Sequence, residues 1–326
     1  MYAAAEATRS QHVNSARVGQ CADLRILTNQ LNDLLRLPIH PLFVFDGIER
    51  PSEKRGKHVD TENKHRLEKG FKDFIRAYGF DYHIAPGEAE AELAVMNRMN
   101  HLDGVLTSDS DVVLFGAGCI IRECLTSLRD SDHQVEIHTE ESIRANGWNS
   151  QRLLLVALLS GGDYDMGGVK GCGIGVASQL AKGELGEKLV HAFMGCSAPE
   201  FLRYCTEWRN DLRDMLRKNT EGALTRKHSD IADNVRNTFP SLTVLGNYLC
   251  PITSHSLALD EPRAIGGLRS PQSHQPNVAQ TASLFKHYFD WPSATVEKYV
   301  RDNIWFGIYM RALFRVRHTA ACGDQD

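Results

Sequence analysis

The sequence has 326 residues, of which 42% are hydrophobic and 24% charged, and its formal net charge is -4. This composition excludes collagen-like, mainly disordered and disulfide-scaffold proteins, and the length predicts about two domains. The longest uninterrupted apolar run, Leu153–Leu159, is far shorter than the roughly twenty residues of a bilayer span, so we expect no membrane partner.

The first elements alternate between helix and strand. Residues 20–37 carry leucines at helical spacing, and Pro38 ends this predicted helix. Residues 41–46 are predicted to form a short buried strand closed by a turn. Residues 54–76 are polar and mostly basic, with apolar residues near their end that indicate a helix end packing inward. A helix is predicted over 88–99.

The alternation continues towards the middle of the chain. Residues 104–111 are predicted to form a second strand, and 112–116 either continue that strand or begin a turn. An apolar helix is predicted over 151–160. Strand and helix in alternation predict an α/β fold with a mostly parallel sheet flanked by helices.

The rest of the chain is predicted to be mainly helical. Residues 166–250 form this helical region, 254–280 are rich in Ser, Pro, Gly and His and are typical of a linker, and 281–318 are again helical. We expect four parts: a core over 1–165, a helical region over 166–252, a linker over 253–280 and a C-terminal helical segment over 281–326.

Acidic side chains follow the ends of the predicted strands. Asp46 ends the first strand, and Asp109 and Asp111 end the second. Residues two apart in a strand point to one side, so this pair can converge on one ion if the extended conformation persists to Asp111. Ligands bind outside the carboxyl ends of strands in open α/β sheets. Asp163 follows a Gly-Gly break, where a loop can aim its side chain.

Three more acids lie at the start of the helix over 88–99. Glu88, Glu90 and Glu92 there are also explained by the favourable interaction of acids with a helix N-terminus. Helical spacing places Glu88 beside Glu92, whereas a pair of Glu88 and Glu90 requires Glu88 to sit at the helix entry. The spacing leaves both arrangements open.

Clustered carboxylates indicate a hard cation. They repel each other and lose hydration unless cations neutralise them, and oxygen ligands without clustered Cys or His favour Mg²⁺ or Mn²⁺. The eight cysteines form no CxxC pair and are expected to be reduced thiols. Two ions roughly 4 Å apart can activate water and stabilise the leaving oxygen in phosphodiester cleavage.

Two segments are candidates for phosphate binding. Lys170, Gly171, Gly173 and Gly175 precede a predicted helix, where glycines let the backbone approach a phosphate, although a tight turn between helices gives the same pattern. Nine Lys/Arg lie over 50–76, which form either a phosphate-tracking surface or a solvated helix face.

Charge along the chain agrees with a polyanionic partner. Residues 77–165 hold 5 Lys/Arg and 15 Asp/Glu, whereas the remainder holds 32 Lys/Arg and 26 Asp/Glu. An acidic centre between basic flanks suits a metal-dependent enzyme acting on a polyanion, although ordinary surface variation also produces such asymmetry.

Together these strings resemble the XPG/flap endonuclease family of structure-specific nucleases. The family's motifs appear in order as FVFDG with KRGK, APGEAEAE, TSDSD and LLSGGDYDMGGVKGCGIGVASQLA, and the similarity extends to about residue 252. Residues 204–222, 239–254 and 289–313 resemble fungal Holliday-junction resolvases. The resemblance implies a PIN-like nuclease core followed by a helix–two-turn–helix region that binds duplex backbone.

The resemblance also assigns residues and partners. It selects Glu90 over Glu92 and implies two Mg²⁺ ions, replaceable by Mn²⁺, with a monovalent cation at the helix–two-turn–helix. Branched or junction DNA is the implied substrate, with a homodimer on four-way junctions and a location in the nucleus. The implied catalytic metal ligands are Asp46, Glu88, Glu90, Asp109, Asp111 and Asp163. The implied DNA-binding residues are Lys54, Arg55, Lys57, Lys170, Gly171, Gly173 and Gly175.

The N-terminus departs from the family pattern. Family members begin with a Gly-containing segment and a strand that ends in a further metal-binding Asp, whereas MYAAAEATRSQ resembles the family's segment after that Asp. Asp23 is no substitute because it lies inside the leucine-rich helix. We therefore expect the first strand, one ligand and a C-terminal chromodomain to be missing, and catalysis to be impaired.

Three alternatives remain open. The first is a catalytically inactive paralogue that binds junction or duplex DNA. A haloacid-dehalogenase-type phosphatase needs a second Asp two residues after Asp46, but position 48 is Ile. A PIN-type ribonuclease shares the acidic pocket but does not explain the glycine-rich segment or the chain after residue 166.

Overall fold

The computed structural model describes residues 21–59, 65–123, 135–219, 222–257 and 275–313. The chain divides into a first unit (1–45, 62–84 and 260–326) and a second unit (46–61 and 85–259). None of the helices within the described ranges is both long and apolar enough for a membrane span. The predicted boundaries at 165, 252 and 280 stay a prediction. The predicted loss of the first strand rests on the sequence of the N-terminal segment, and residues 1–20 lie outside the described residues, as does most of the predicted linker.

Helices predominate among the elements. In chain order they are α1 (Ala22–Leu35), β1 (Leu42–Phe45), β2 (Glu53–Lys54), β3 (Lys57–His58), α2 (Glu68–Ala77), β4 (Asp81–Ile84), α3 (Ala89–Arg98), β5 (Val105–Leu106), α4 (Asp111–Leu114), β6 (Cys119–Glu123), β7 (Val135–Thr139), α5 (Glu140–Ala145), α6 (Ser150–Ser160), α7 (Ile174–Ala181), α8 (Leu185–Gly195), α9 (Ala198–Lys218), α10 (Ser229–Asn234), α11 (Leu242–Leu249), α12 (Val278–Phe289), α13 (Ser293–Tyr299) and a π-helix (Val300–Ile304).

The first unit is built on a small parallel sheet. Strands β1 and β4 pair in parallel, with Phe45 opposite Ile84. Helix α1 buries the leucines of its apolar stripe, including Leu27 and Leu31, which confirms the helix predicted over 20–37. Aromatic side chains from α2 and α12 complete this core. Asp23, on α1, accepts a hydrogen bond from Arg66 and so serves a pair within this unit.

The second unit holds a three-stranded sheet and a helical core. Strand β6 pairs in parallel with β5 and antiparallel with β7, and β2 and β3 form a short hairpin. Helices α6 to α9 pack around Trp208, whose indole N–H donates to the Leu185 carbonyl. The helices predicted over 88–99 and 151–160 are confirmed, and so is the helical character of 166–250. The α/β class with a predominantly helical second half is confirmed.

The strand predicted over 104–111 is wrong in its second half. Only Val105–Leu106 is a strand, and Asp111 is the first residue of α4. The reason is local: Asp109 N donates to Thr107 Oγ1 at 3.0 Å, and Asp111 N donates to Asp109 Oδ1 at 2.9 Å. Short polar side chains thus satisfy the backbone in successive turns and compete with strand pairing.

Candidate functional site

The six acids predicted as ligands lie together in the second unit, although strand alternation does not bring them there. We call this set, which consists of Asp46, Glu88, Glu90, Asp109, Asp111 and Asp163, the acidic cluster. Each member is hydrogen-bonded or electrostatically coupled to others or to the same basic side chains, so the cluster is continuous. The assignment of these six acids as metal ligands stays a prediction.

Two backbone turns fix Asp46 against the start of α3. The amide of Gly47 donates to the Gly87 carbonyl at 2.7 Å, and Asp46 Oδ1 accepts from the Ala89 amide at 2.9 Å. A side chain at position 47 would overlap the carbonyl oxygens of Ala85 and Pro86. Glycine is therefore required here by the close approach of the two main chains.

Glu88 occupies the helix entry that pairing with Glu90 requires. It is the residue before α3, with extended backbone angles, so Glu88 and Glu90 are not constrained to opposite faces of a regular helix. Glu92, one turn further on, instead accepts a hydrogen bond from the Ser254 amide at 2.8 Å. Glu92 is buried, and this contact lies outside the cluster.

Two basic residues from the β2–β3 hairpin enter the cluster. Lys54 Nζ lies 2.8 Å from Glu88 Oε1 and 3.2 Å from Asp163 Oδ2, and Arg55 Nε lies 2.6 Å from Asp163 Oδ1. Burial alone would raise the pKa of Asp163, but the hydrogen bonds from Arg55 and Lys54 outweigh it and lower that pKa. Burial raises the pKa of Glu88, and the Lys54 ammonium opposes this rise.

Negative charge is costly at Glu90 and Asp111. Burial and, to a lesser extent, the charge of Asp46 raise the pKa of Glu90 to about 7. Burial and the charges of Asp109 and Asp163 raise the pKa of Asp111 to about 6. At neutral pH these carboxylates are therefore poised to gain from any additional cation.

Two tyrosines, which sequence reasoning missed, lie behind the cluster. The Tyr164 hydroxyl donates to Glu88 Oε2, and the Tyr164 ring meets the Tyr248 ring edge-on with centroids 4.5 Å apart. Tyr164 follows Asp163 in the predicted motif, but Tyr248 comes from α11, far along the chain. No local pattern in the sequence connects Tyr248 to the acids.

The residues fit divalent cations, although Lys54, Arg55 and Arg50, which lies 3.0 Å from Asp46 Oδ2, supply positive charge in the metal-free protein. The donors are all carboxylate oxygens, and Asp111 Oδ2 is buried with no hydrogen-bond partner among the described residues. In the same described ranges, no three carboxylate, His or Cys side chains are already arranged to hold an ion. The cluster has the chemistry of a hard-cation site, whose ligands would close around the ion.

The predicted phosphate-binding residues are accessible. Lys57 on the hairpin and Lys170 before α7 are exposed. Gly171 has a positive φ of 87°, which favours glycine. A Cβ at Gly173 or Gly175 would meet no other atom within 4 Å, so the fold itself does not require glycine at either position.

Comparison with known proteins identifies relatives of this chain. The XPG I-region family matches residues 79–163. Flap endonuclease GEN-like 1 of Arabidopsis thaliana is 29% identical over 176 residues, which cover 47% of this chain and 29% of that protein. A solved structure of the eukaryotic junction-resolving enzyme GEN-1 binding cesium is 32% identical with a TM-score of 0.71, covering 93% of this chain and 68% of that one. Another, of the Holliday junction-resolving enzyme GEN1 with product DNA and Mg²⁺, is 29% identical with a TM-score of 0.74, covering 93% and 69%.

The matches differ in how much of each relative's length they cover. The chain spans less than two thirds of the first curated relatives, with 29%, 58% and 22% of their lengths covered. The match to the GEN-1 structure, by contrast, extends over more than two thirds of the solved chain at over 30% identity. The family motifs, the I-region match and this structural similarity agree. The chain belongs to the XPG/flap endonuclease family of structure-specific nucleases.

Proposed function

We propose that this chain is a structure-specific DNA endonuclease that hydrolyses phosphodiester bonds in branched DNA. The observation that carries the proposal is the acidic cluster: six carboxylates from four separate segments gather in one unit, with one buried oxygen left unpartnered among the described residues. A polyanionic substrate cannot approach such a cluster unless cations neutralise it.

The acidic cluster holds the divalent ions in this proposal. Bound Mg²⁺ or Mn²⁺ would supply the Lewis acidity that activates water and stabilises the leaving oxygen. Glu90 and Asp111, whose pKa values are raised to about 7 and about 6, gain most from the ions. Tyr164 holds the Glu88 carboxylate in place, and the Gly47 turn holds Asp46.

Lys54 and Arg55 serve as counter-ions and then as substrate contacts. Their ion pairs with Glu88 and Asp163 reduce repulsion within the metal-free cluster. When ions take over the neutralisation, the two side chains become available to a DNA phosphate. Arg55 is already mostly exposed, with 63% of its side-chain surface accessible.

The glycine-rich turn before α7 binds the duplex backbone. Gly171 and Gly173 precede α7, and Gly175 lies in its first turn. All three are exposed near Lys170, and their lack of a side chain suits a close approach by phosphates. This turn is also the position for a monovalent cation; solved GEN-1 relatives are described with cesium, potassium or sodium.

The descriptions of the relatives favour junction DNA as the substrate, and we propose that the chain acts on it in the nucleus. A neighbouring structure is described as a Holliday junction-resolving enzyme with product DNA, and a yeast relative as a DNA repair protein. We further propose, from the family resemblance, that two copies of the chain act on a four-way junction.

Cleavage of labelled flap and four-way junction DNA tests the proposal. We expect cutting with Mg²⁺ or Mn²⁺ and none with a chelator. Asp111→Asn should lower kcat at least about 100-fold, because the variant loses the charge of a buried ligand. Glu141→Gln, an exposed acid outside the cluster, is the matched control and should cut normally.

Binding without cutting would contradict the proposal. If the wild-type chain binds junction DNA but cleaves nothing with any divalent ion, and Asp111→Asn binds equally well, the chain is a DNA-binding paralogue. The ion pairs of Lys54 and Arg55 would then be permanent replacements for the metal.

A further inference from the structure

The hydroxyl group of Tyr248 is a buried donor without an acceptor. Tyr248 is 3% exposed, and its oxygen has no hydrogen-bond partner among the described residues. Buried phenol groups normally find a partner, because an unmade hydrogen bond leaves the cost of desolvation uncompensated. The position of this hydroxyl therefore calls for an acceptor nearby.

Three contacts place the Tyr248 side chain behind the acidic cluster. Its ring meets Tyr164 edge-on and lies 6.1 Å from the ring of Phe115. Phe115 is one helical turn after Asp111, and its amide donates to the Asp111 carbonyl at 3.0 Å. The hydroxyl oxygen lies against Gly162, where a Cβ would be only 2.8 Å away. Tyr248 thus lies against both α4 and the turn before Asp163.

The missing acceptor is available in the same place. Asp111 Oδ2 is buried and, like the hydroxyl, has no hydrogen-bond partner within the described ranges. Burial raises the pKa of Tyr248 above its ordinary value, and the charges of Asp111 and Asp163 raise it further, whereas the backbone of Asp163 and the Lys54 charge oppose the rise. The backbone amide is a donor, so it does not supply an acceptor for the hydroxyl proton. A donor without an acceptor and an acceptor without a donor lie in one small region.

We propose that Tyr248 is a positioning residue of the acidic cluster, whose hydroxyl donates to the Asp111 carboxylate directly or through one buried water. The hydrogen bond orients the carboxylate and leaves its other lone pairs for the ion. This inference rests on the proposed metal-binding role of the cluster. It makes α11, which lies outside the residues matched by the I-region, a part of the catalytic machinery.

Tyr248→Phe removes the hydroxyl and keeps the ring. We expect the affinity for Mn²⁺, measured by calorimetry on the protein without DNA, to fall about tenfold, as is typical when a group that orients a metal ligand is removed. In cleavage assays kcat should fall while KM for the DNA stays unchanged. Tyr204→Phe, a half-buried tyrosine on α9, is the matched control and should bind Mn²⁺ normally.

A second pair of variants tests the contact through Gly162. Gly162→Ala should weaken Mn²⁺ binding because its methyl group displaces the hydroxyl; the next nearest atom, Ala157 Cβ, is at an ordinary 3.5 Å. In the Tyr248→Phe background the same alanine should cause no further loss. Two independent, additive losses would overturn the proposed contact.

The thermal transition separates positioning from packing. Tyr248→Phe should leave the melting temperature of the metal-free protein nearly unchanged and reduce the increase that Mn²⁺ produces. Equal decreases with and without Mn²⁺, or an unchanged Mn²⁺ affinity, would overturn the inference while the metal cluster stands. Absence of Mn²⁺ binding in the wild-type protein would instead refute the proposed function itself.

Discussion

Glu90 and Asp111 keep their carboxyl groups where ionisation is unfavourable without a cation. Burial and neighbouring negative charges raise both pKa values towards neutrality. A residue chosen for stability alone would not be acidic at either place. The ionised carboxylates therefore destabilise the metal-free protein electrostatically, and bound ions would relieve this destabilisation, as is common at functional sites.

The pH dependence of stability should reveal this electrostatic cost at Glu90. Because its folded pKa of about 7 exceeds the unfolded value of 4.5, the folded state binds more protons between these pH values. The free energy of unfolding of the metal-free protein should therefore fall as pH rises from about 4.5 to about 7. Glu90→Gln should be more stable than wild type at pH 8 by about 2 kcal/mol, less than the full shift implies because Glu90 keeps some solvent.

Urea unfolding with a chelator at pH 4.5 and pH 8 measures this difference. At pH 4.5 the wild-type protein and Glu90→Gln should have similar stability, because both side chains are neutral. Glu141→Gln provides the exposed control and should follow the wild-type protein at both pH values. Parallel pH profiles for wild type and Glu90→Gln would contradict the expectation.

Site residues could be predicted from the sequence only where they belong to a recognisable motif. The six acids could be selected by motif resemblance, but spacing alone did not distinguish Glu90 from Glu92. The structure explains the choice through a distant partner, because Glu92 binds the backbone of Ser254, 162 residues away. Tyr248 could not be found at all, since its role depends on the packing of α11 in three dimensions.

Elements with a clear period were predicted well, and those set by side-chain hydrogen bonds were not. The leucine stripe of α1 and the apolar run of α6 correspond to observed helices. The predicted strand continues after Leu106 to residue 111, but the turns at Thr107 and Asp109 lead the chain into α4. The acids there meet through these turns, not through the pleat of a strand.

The glycines at the start of α7 offer a test at the level of the element. Gly175→Ala should increase stability by about 0.5–1 kcal/mol, because alanine has the higher helix propensity and its Cβ meets no atom. The same change should weaken binding to duplex DNA if the phosphate backbone approaches this surface. Fluorescence anisotropy and urea unfolding measure the two effects.

A matched substitution on another helix controls for helix propensity. Gly195→Ala changes a glycine at the end of α8, where a Cβ likewise meets nothing within 4 Å. It should leave DNA affinity unchanged. If Gly175→Ala binds DNA as tightly as wild type, the turn does not contact the backbone as proposed.

At the scale of the whole molecule, the negative charge of the acidic segment repels the proposed DNA substrate until cations bind. The acidic excess lies within 77–165, and the basic excess lies in the rest of the chain. The DNA-binding residues and the acidic cluster must therefore act on one polyanion with opposite effects. Composition indicated this asymmetry, and five of these 15 acids form the acidic cluster together with Asp46.

Junction affinity should accordingly depend on a divalent ion even when no cleavage occurs. Adding Ca²⁺, which accepts the same oxygen ligands, should strengthen binding roughly tenfold at constant ionic strength. In a variant that combines Asp109→Asn with Asp111→Asn, the affinity without Ca²⁺ should rise and the dependence on Ca²⁺ should shrink. Equal affinity with and without Ca²⁺ in the wild-type protein would contradict this view.

The close approach of the two main chains at Gly47 has one more consequence. Because the main chains of two turns touch there, the separation of Asp46 from the entry of α3 is set by peptide groups rather than by rotamers. Insertions elsewhere in the two turns can accumulate without altering that spacing, but no residue larger than glycine fits at position 47. A substitution at Gly47 would therefore push the two turns apart. The variant should keep its DNA-binding surfaces and every carboxylate but lose cleavage.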